Sequence, residues 1–449
     1  MSAKTTPVEV AYAIPHRFPF HIGLFLATNA IPDAYAMIDG PDCVFRKTEW
    51  VHGKHDWRST LLDGLGHHRV VNTLMNAEQV IKNKGEELAA RIRKVGALPG
   101  SALVLVCSMP HVMIIGLQYD KILRRLQPEV SPQLIEVPSR SLDGDWLDGY
   151  AEALAAIAEN IDVRGARPDP EKVAVIGHLM DRTEEDQAAN VREIERMLGA
   201  LGLTPSSVWL SNRPYAHLAE AKDAGTLLAF PLGRRAAELL AARTGARVLP
   251  VEVPFGLGRS GRMLRAVGRA LGREAEAERF IDAELRRLTP RLEWVVGHVF
   301  VGKRVAFSLP PELFGGAAQI AAELGMEPVL FASSASDRTL DTDLAAELGA
   351  APPALFAPSK AVLQQALGAL VEAGELDLAV GDSDFCDQVI HRVPCVEMGF
   401  PAHFDHALFE RPSLGYRGWI CLVDRLAQAL SRGARTLEVQ RSRAEQSAR

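Results

Sequence analysis

The chain has 449 residues, of which 47% are hydrophobic and 24% charged, a composition typical of a folded protein with more than one domain. Its formal net charge of −6 excludes the concentrated Lys and Arg of a broad nucleic-acid-binding surface. Five cysteines fit a reducing compartment, and no run of about 18 apolar residues predicts a membrane span, so we expect a cytoplasmic protein.

Two cysteines end predicted strands near the start of the chain. Cys43 closes the segment that begins at Ala34, and Cys107 closes the apolar run that begins at Ser101. Short apolar runs stopped by turn residues are typical of buried strands in an open α/β sheet. Ligands gather beyond the carboxyl ends of such strands, where two thiols suit zinc or an iron–sulfur cluster. The alternative is that both cysteines pack as small hydrophobic residues.

Histidines cluster in the same part of the chain. His52 and His55 form a short motif with spacing that suits metal binding or proton transfer, but such segments are more often solvated loops. His111 follows Cys107 closely. It is a candidate proton donor, or a residue that hydrogen-bonds beside the ligands.

Strand-like runs alternate with helical patterns along the rest of the chain, which predicts parallel sheets covered by helices. The predicted strands are Lys172–His178, Ser207–Leu210, Arg247–Val251, Arg304–Ser308, Glu327–Phe331 and Leu376–Gly381. The acidic stretch 181–186 is interpreted as the first turn of a helix, with a structural role.

Two breaks divide the chain into three predicted domains. A Pro-containing linker at 164–170 and a pair of helices ending before Gly302 place the boundaries near 165 and 293. The domains are residues 1–165, 166–292 and 293–418, each of ordinary size. The C-terminal helix, 419–449, is expected to pack back on the first domain.

A formal G-x-G-x-x-G motif follows a predicted strand at Gly256, Gly258 and Gly261. It is the dinucleotide fingerprint, but no strand carries the acidic residue expected about 20 positions later. A tight glycine turn ahead of a helix is the favoured interpretation of this motif. The less favoured alternative is that the whole chain is a nicotinamide-dependent enzyme.

The three other cysteines lie late in the sequence. Cys386 follows a predicted strand end and is a candidate to line a cleft in the last domain. Cys395 in an apolar strand and Cys421 in a helix are interpreted as core residues.

Several segments resemble the nitrogenase component 1 family over nearly the whole chain. The run from Asp39 to Cys43 resembles the family's His-Gly-Pro-x-Gly-Cys cluster segment, and Cys107 resembles its later strand-end cysteine. Gly399-Phe400-Pro401 and 411–418 resemble the closing signature. Pro254-Phe255-Gly256-Leu257 is most similar to the β-type branch.

Two departures from the family pattern bear on function. A nitrogenase subunit supplies three cysteines to the larger cluster, and the first of these positions falls near Phe18 or Pro19 here. The segment 227–231 lies where the α subunit carries the cysteine that holds its active-site cofactor, and it contains no cysteine. The departures point away from nitrogen fixation.

The resemblance implies three Rossmann-like α/β domains around a central cleft. It implies a catalytic component that receives electrons from an ATP-dependent iron–sulfur reductase and reduces a substrate in the cleft. Cys43 and Cys107 would ligate a [4Fe–4S] cluster at an interface with a homologous subunit, either a second copy or a different chain. A second metal cofactor in the cleft is an open alternative.

Three residues are candidate proton donors in this reaction: His111, His52 and Asp405. The substrate alternatives are a tetrapyrrole or a small sulfur or nitrogen compound. The alternative function is a non-catalytic scaffold on which a metal cluster is assembled and then transferred.

Overall fold

The structure is a computed structural model that describes residues 17–41, 44–62, 68–82, 84–336 and 352–447. It contains three sheets, in which every strand pair is parallel. The predicted α/β class is therefore confirmed. Among the described residues, no helix combines the length and the apolar character that a membrane span requires.

The first sheet has the strand order β2-β1-β3-β4. Its elements are α1 (Phe20–Asn29), β1 (Ala34–Asp39), α2 (Val44–Thr48), β2 (Val70–Asn72), α3 (Ala77–Lys82), α4 (Glu86–Gly96), β3 (Leu103–Ser108), α5 (Pro110–Met113), α6 (Tyr119–Leu126), β4 (Gln133–Glu136) and α7 (Trp146–Asn160). Asp145 caps α7 by accepting the backbone N–H groups of Leu147 and Asp148.

Helices α1 and α7 cross at two glycines. A Cβ at Gly23 would lie 1.7 Å from the Trp146 carbonyl oxygen, and one at Gly149 would lie 1.9 Å from the Phe20 carbonyl oxygen. All ten residues of α1 are buried. The two backbones therefore approach more closely than any side chain would permit.

The second sheet has the strand order β6-β5-β7-β8. Its elements are β5 (Asp169–Ile176), α8 (Glu185–Gly199), β6 (Thr204–Val208), α9 (Tyr215–Ala219), β7 (Ala224–Ala229), α10 (Arg234–Thr244), β8 (Arg247–Pro250), α11 (Leu257–Leu271), α12 (Glu274–Leu288) and α13 (Glu293–Val295).

The third sheet has the strand order β11-β10-β9-β12-β13. Its elements are β9 (Arg304–Ser308), α14 (Phe314–Leu324), β10 (Glu327–Ser333), β11 (Ala354–Phe356), α15 (Lys360–Glu372), β12 (Leu378–Gly381), α16 (Ser383–Cys386), β13 (Cys395–Glu397) and α17 (Gly415–Ser447).

The long C-terminal helix does not pack where we expected. Helix α17 contacts α8, α11 and β13, which belong to the second and third sheets. Its buried residues Trp419, Leu422 and Leu426 share a hydrophobic core with Val173 of β5 and Phe307 of β9. The prediction that this helix packs on the first domain is therefore wrong, because its apolar face fills the space between the other two sheets.

Candidate functional site

Cys107 lies at the carboxyl end of β3. In the parallel pairing of β3 with β1, Cys107 is opposite Ile38 and Ser108 is opposite Asp39. Cys43 falls between the end of β1 and the start of α2, and it lies outside the described residues. The end of β1 and the sulfur-bearing end of β3 therefore share one edge of the first sheet, which is the edge where ligands bind in such folds.

Polar contacts hold this edge in place. The Asp39 carboxylate accepts hydrogen bonds from the Tyr119 hydroxyl at 2.7 Å and the Thr73 hydroxyl at 2.9 Å. His21 Nε2 donates to the carbonyl oxygen of Ser108 across 3.1 Å. Burial lowers the pKa of His21 to about 4, so its imidazole is neutral. The strand ends on either side of Cys107 are thus fixed by buried hydrogen bonds.

The Cys107 thiol can serve as a cluster ligand only after it loses its proton, and its surroundings disfavour that loss. The side chain is 1% exposed, and burial raises the pKa of its thiol to about 12. A thiol binds iron as the thiolate, so a bound cluster has to displace this proton. Among the described residues, no group of three or more His, Cys, Asp and Glu side chains is arranged to hold a metal ion. A ligand set completed by Cys43 and by a second chain is compatible with this arrangement.

The two histidine candidates lie outside the central cavity. His111 is exposed in α5, directly after the strand of Cys107. His52 is half-buried in the loop after α2, and its Nδ1 has no hydrogen-bond partner. Neither side chain lines the central cavity described next.

A cavity of about 80 Å³ lies where the carboxyl ends of the second and third sheets face each other. Gly177 and His178 follow β5, Phe230 and Pro231 follow β7, and Pro310 follows β9. Residues after β13 and the loop before α17 complete the wall, and these are Met398, Gly399, Arg411, Ser413 and Leu414. The predicted cleft is therefore present. Phe230 and Pro231 in its apolar wall belong to segment 227–231, which contains no cysteine at the position of the α-subunit cofactor ligand.

Two ionisable residues of the cavity wall were not assigned by sequence reasoning. His178 Nε2 is buried without a hydrogen-bond partner, and burial lowers the pKa of His178 to about 4. Burial raises the pKa of Asp181 to about 7, although the charge of Arg182 offsets part of this effect. Gln187 donates to Asp181 Oδ1 across 2.7 Å. A neutral imidazole and a carboxylic acid that titrates near neutral pH thus line one cavity, as proton transfer requires.

The local signal for Asp181 was misread. The acidic stretch does begin a helix, but α8 starts at Glu185, so Asp181 and Arg182 remain in the loop after β5. A position shortly after a strand end was the signal that could have identified them.

Asp405 is held as a carboxylate by two arginines, Arg411 and Arg425. Burial alone would raise the pKa of Asp405, but the charges of Arg425 and Arg411 outweigh it and hold the pKa below its ordinary value. Its backbone carbonyl also accepts a hydrogen bond from Arg182 at 2.8 Å. These contacts argue against Asp405 as a proton donor. Its carboxylate pairs with Arg411 and Arg425 beside the cavity, and its backbone carbonyl binds Arg182.

His55 is fully buried, contrary to the expectation of a solvated loop. Its Nδ1 accepts the backbone N–H of Ala402 at 2.9 Å, and its Nε2 donates to the carbonyl oxygen of Asp181 at 3.0 Å. Both bonds require one neutral tautomer. His55, in the loop after α2, therefore connects that loop to the cavity loop and to the segment after β13.

The glycine motif forms the start of a helix whose first N–H groups are already bonded to a side chain of the chain itself. Gly256 precedes α11 with a φ of +99°, a conformation that favours glycine. The Glu323 carboxylate accepts the N–H groups of Gly258 at 2.9 Å and Leu257 at 3.4 Å. The favoured interpretation as a glycine turn before a helix is confirmed.

The chain is similar to known proteins over most of its length. The family model described as nitrogenase component 1 type oxidoreductase matches residues 20–431. The nitrogenase molybdenum–iron protein β chain of Frankia alni is 27% identical over 310 residues, which span 63% of this chain and 56% of the Frankia chain. The nitrogenase vanadium–iron protein β chain of Trichormus variabilis is 24% identical over 337 residues, 69% of this chain and 70% of the relative.

The fold likeness extends further than the sequence likeness. The solved structure of nitrogenase Cp1 at pH 6.5 superposes with a TM-score of 0.78 at 14% identity, covering 94% of this chain and 93% of that one. The family match and the three parallel sheets agree. The chain belongs to the nitrogenase component 1 type oxidoreductases.

Proposed function

We propose that the chain is the catalytic component of a nitrogenase-like oxidoreductase. It accepts electrons from an ATP-dependent iron–sulfur reductase and reduces a substrate held in the central cavity. The observation that carries the proposal is the cavity at the facing strand ends, whose wall holds the buried acid Asp181 and the unpartnered Nε2 of His178. Membership of a family that binds iron–sulfur clusters supports the electron-transfer part.

Cys43 and Cys107 are the residues that would hold a [4Fe–4S] cluster. Two thiolates from this chain and two from a second copy, or from a homologous subunit, make the four that such a cluster takes. When bound, the cluster supplies transfer of single electrons. The burial of Cys107 keeps water from its sulfur, and excluded water is one determinant of the potential of such a site.

Asp181 would hold the proton that the substrate receives. Its pKa of about 7 leaves it partly protonated at neutral pH, which is the condition for an effective general acid. Gln187 orients the carboxyl group through Oδ1. The lowered pKa keeps His178 neutral, and a neutral imidazole has one N–H and one bare nitrogen. Its unpartnered Nε2 would therefore form one hydrogen bond with the substrate, as donor or acceptor according to the tautomer.

The size of the cavity favours a small substrate. Its volume of about 80 Å³ is well below the roughly 300–1,000 Å³ of pockets that hold drug-sized ligands. A small sulfur or nitrogen compound fits this space, whereas a tetrapyrrole does not fit the cavity in this conformation. The described wall residues include no cysteine, so we propose that no thiolate-bound metal cluster is held there.

The experiment is anaerobic purification followed by iron and sulfide analysis and EPR spectroscopy. Cys43→Ala and Cys107→Ala are compared with Cys421→Ala, a half-buried cysteine of α17. We expect the first two variants to lose the cluster signal and the third to keep it. A protein without iron, or a cluster that survives both substitutions, would contradict the assignment.

A second measurement tests the reaction. Reductant consumption that depends on the reductase and on ATP is followed with small nitrogen and sulfur compounds, for the unmodified chain and for Asp181→Asn. We expect the variant to keep its iron content and to lose turnover by about 10²- to 10⁴-fold, the usual contribution of a general acid. A cluster that is transferred to an acceptor protein, with no turnover in either chain, would instead support the scaffold function.

A further inference from the structure

A second, larger pocket of about 660 Å³ lies on the outer side of the third sheet, between α16, β13 and α17. Two cysteines, Cys386 and Cys395, lie in its wall. Both are free thiols, and neither belongs to the cavity or to the edge of the first sheet described above.

The Cys395 side chain lies against the backbone of Cys386. The sulfur of Cys395 lies 3.8 Å from the carbonyl oxygen of Cys386, and the sulfur of Cys386 donates to the carbonyl oxygen of Gly381 at 3.5 Å. The hydrogen bond with Cys395 is the largest cause that raises the pKa of the Cys386 thiol, and burial comes next. A disulfide between the two cysteines requires their sulfurs to approach to about 2.05 Å, which thiol–disulfide exchange with an oxidant drives.

The pair is asymmetric with respect to the pocket. Cys386 is 4% exposed and belongs to a hydrophobic core on the third sheet, whereas Cys395 is only partly buried and packs at the edge of that core. A molecule in the pocket therefore meets Cys395 first and finds Cys386 behind it. A partly exposed attacking cysteine with a second cysteine in contact is the arrangement of a dithiol that cycles through a disulfide.

We propose that Cys386 and Cys395 are a redox-active dithiol that a low-molecular-weight disulfide oxidises in this pocket. The Cys395 thiolate attacks one sulfur of the small disulfide, breaks its S–S bond and releases one small thiol. The Cys386 sulfur then attacks the Cys395 sulfur, breaks the mixed disulfide and releases the second small thiol. Two electrons pass from the protein to the small disulfide, and the two protons of the protein thiols end on the two released thiols.

The consequence of this bond lies close to the central cavity. Glu397 follows Cys395 by two residues in β13, and its carboxylate accepts the backbone N–H groups of Phe404 at 2.8 Å and Asp405 at 2.6 Å. Ser383 of α16 also donates to Glu397. A disulfide would join α16 to β13 covalently at the strand that holds the Asp405 loop.

The test uses the full chain, purified anaerobically and reduced. It is incubated with oxidised glutathione, its free thiols are blocked with N-ethylmaleimide, and the peptides are mapped by mass spectrometry. We expect one disulfide between the Cys386 and Cys395 peptides, and its loss on treatment with a dithiol reductant. Blocked thiols at both positions, or a disulfide that joins either of them to another cysteine, would overturn the proposal.

Three variants assign the order of the steps. In Cys386→Ser, glutathione should remain attached to Cys395, because the second attack is absent. In Cys395→Ser, Cys386 should stay unmodified over the same time, because it is buried. Cys421→Ser is the matched control and should form the Cys386–Cys395 disulfide at the rate of the unmodified chain. Equal glutathione attachment at Cys395 in Cys386→Ser and at Cys386 in Cys395→Ser would refute the proposed order. The mapping of the unmodified chain decides the main question even where a variant does not fold.

Discussion

Glu323 accepts the backbone N–H of Gly258 across 2.9 Å, at the first turn of the helix that carries the glycine motif. In a dinucleotide-binding fold, the pyrophosphate takes the N–H groups of this position. The chain therefore fills its own anion site with a carboxylate. We expect no saturable binding of NADH or NADPH in a titration that follows nicotinamide fluorescence. Saturation by either nucleotide would favour a nicotinamide-dependent enzyme instead.

Asp181 should give the stability of the chain an unusual dependence on pH. Its folded pKa of about 7 lies above the ordinary 3.8, so the folded chain keeps a proton that the unfolded chain releases. Its contribution to the free energy of unfolding therefore falls as pH rises from about 4 to about 7, by up to about 1.4 kcal/mol per pH unit. His55 and His178 act in the opposite direction below pH 6.5, because their folded pKa values are lowered.

Comparison of variants separates these contributions. Across that pH window, urea unfolding of Asp181→Asn should show a free energy of unfolding that rises relative to the unmodified chain as pH increases. Asp120→Asn, at an exposed ion pair of α6, should give a profile parallel to that of the unmodified chain. A parallel profile for Asp181→Asn as well would show that this carboxyl group titrates normally.

His55→Ala should destabilise the fold by about 2–4 kcal/mol at pH 7.5, because it removes a buried ring and leaves two buried backbone groups unpaired. Burial and the charge of Arg182 hold the pKa of His55 well below 6.5. The unmodified chain therefore loses stability as pH falls below about 6.5, and this loss should be smaller in the variant. Denaturant unfolding at several pH values measures both effects.

His52→Ala is the control from the same loop. Its ring is half-buried with an unpartnered Nδ1, so we expect a change within about 1 kcal/mol. Equal losses from the two substitutions would mean that the tie between His55 and the cavity loop contributes nothing to stability.

Gly149→Ala should destabilise the fold by about 3 kcal/mol or more, since the new methyl group would lie 1.9 Å from the carbonyl oxygen of Phe20. Gly199→Ala, at the last residue of α8, has nothing within 4 Å and should change stability by less than about 1 kcal/mol, in the favourable direction. Thermal unfolding of both variants checks the pair. A similar transition temperature in Gly149→Ala would show that the crossing can relax.

The local sequence pattern was sufficient to predict the strands of the sheets and the position of Cys107 at a strand end. Apolar runs stopped by turn residues predicted β3 and β9, because a buried parallel strand is apolar on both faces. The place of Cys107 at a strand end followed from the same pattern.

Contacts between distant segments were not predictable in this way. In the sequence, Asp405 is an ordinary loop carboxylate. One of its ion pairs comes from Arg425 of α17, and its backbone carbonyl accepts a hydrogen bond from Arg182, which is 223 residues away. The raised pKa of Asp181 arises from burial between sheets, which a single strand–loop–helix segment does not reveal. His55 was misassigned for the same reason, since its two partners lie in two other parts of the chain.

The crossing of α1 and α7 has a consequence for the proposed reaction. Helix α1 carries His21, which is bonded to Ser108 beside Cys107. Helix α7 carries Tyr150, whose hydroxyl donates to the carbonyl oxygen of His178 at 2.8 Å. Since the two helix backbones meet at Gly23 and Gly149, packed backbone connects the strand end of Cys107 to the loop of His178. In the proposed reaction, this packing would set the distance between the cluster ligand and the cavity.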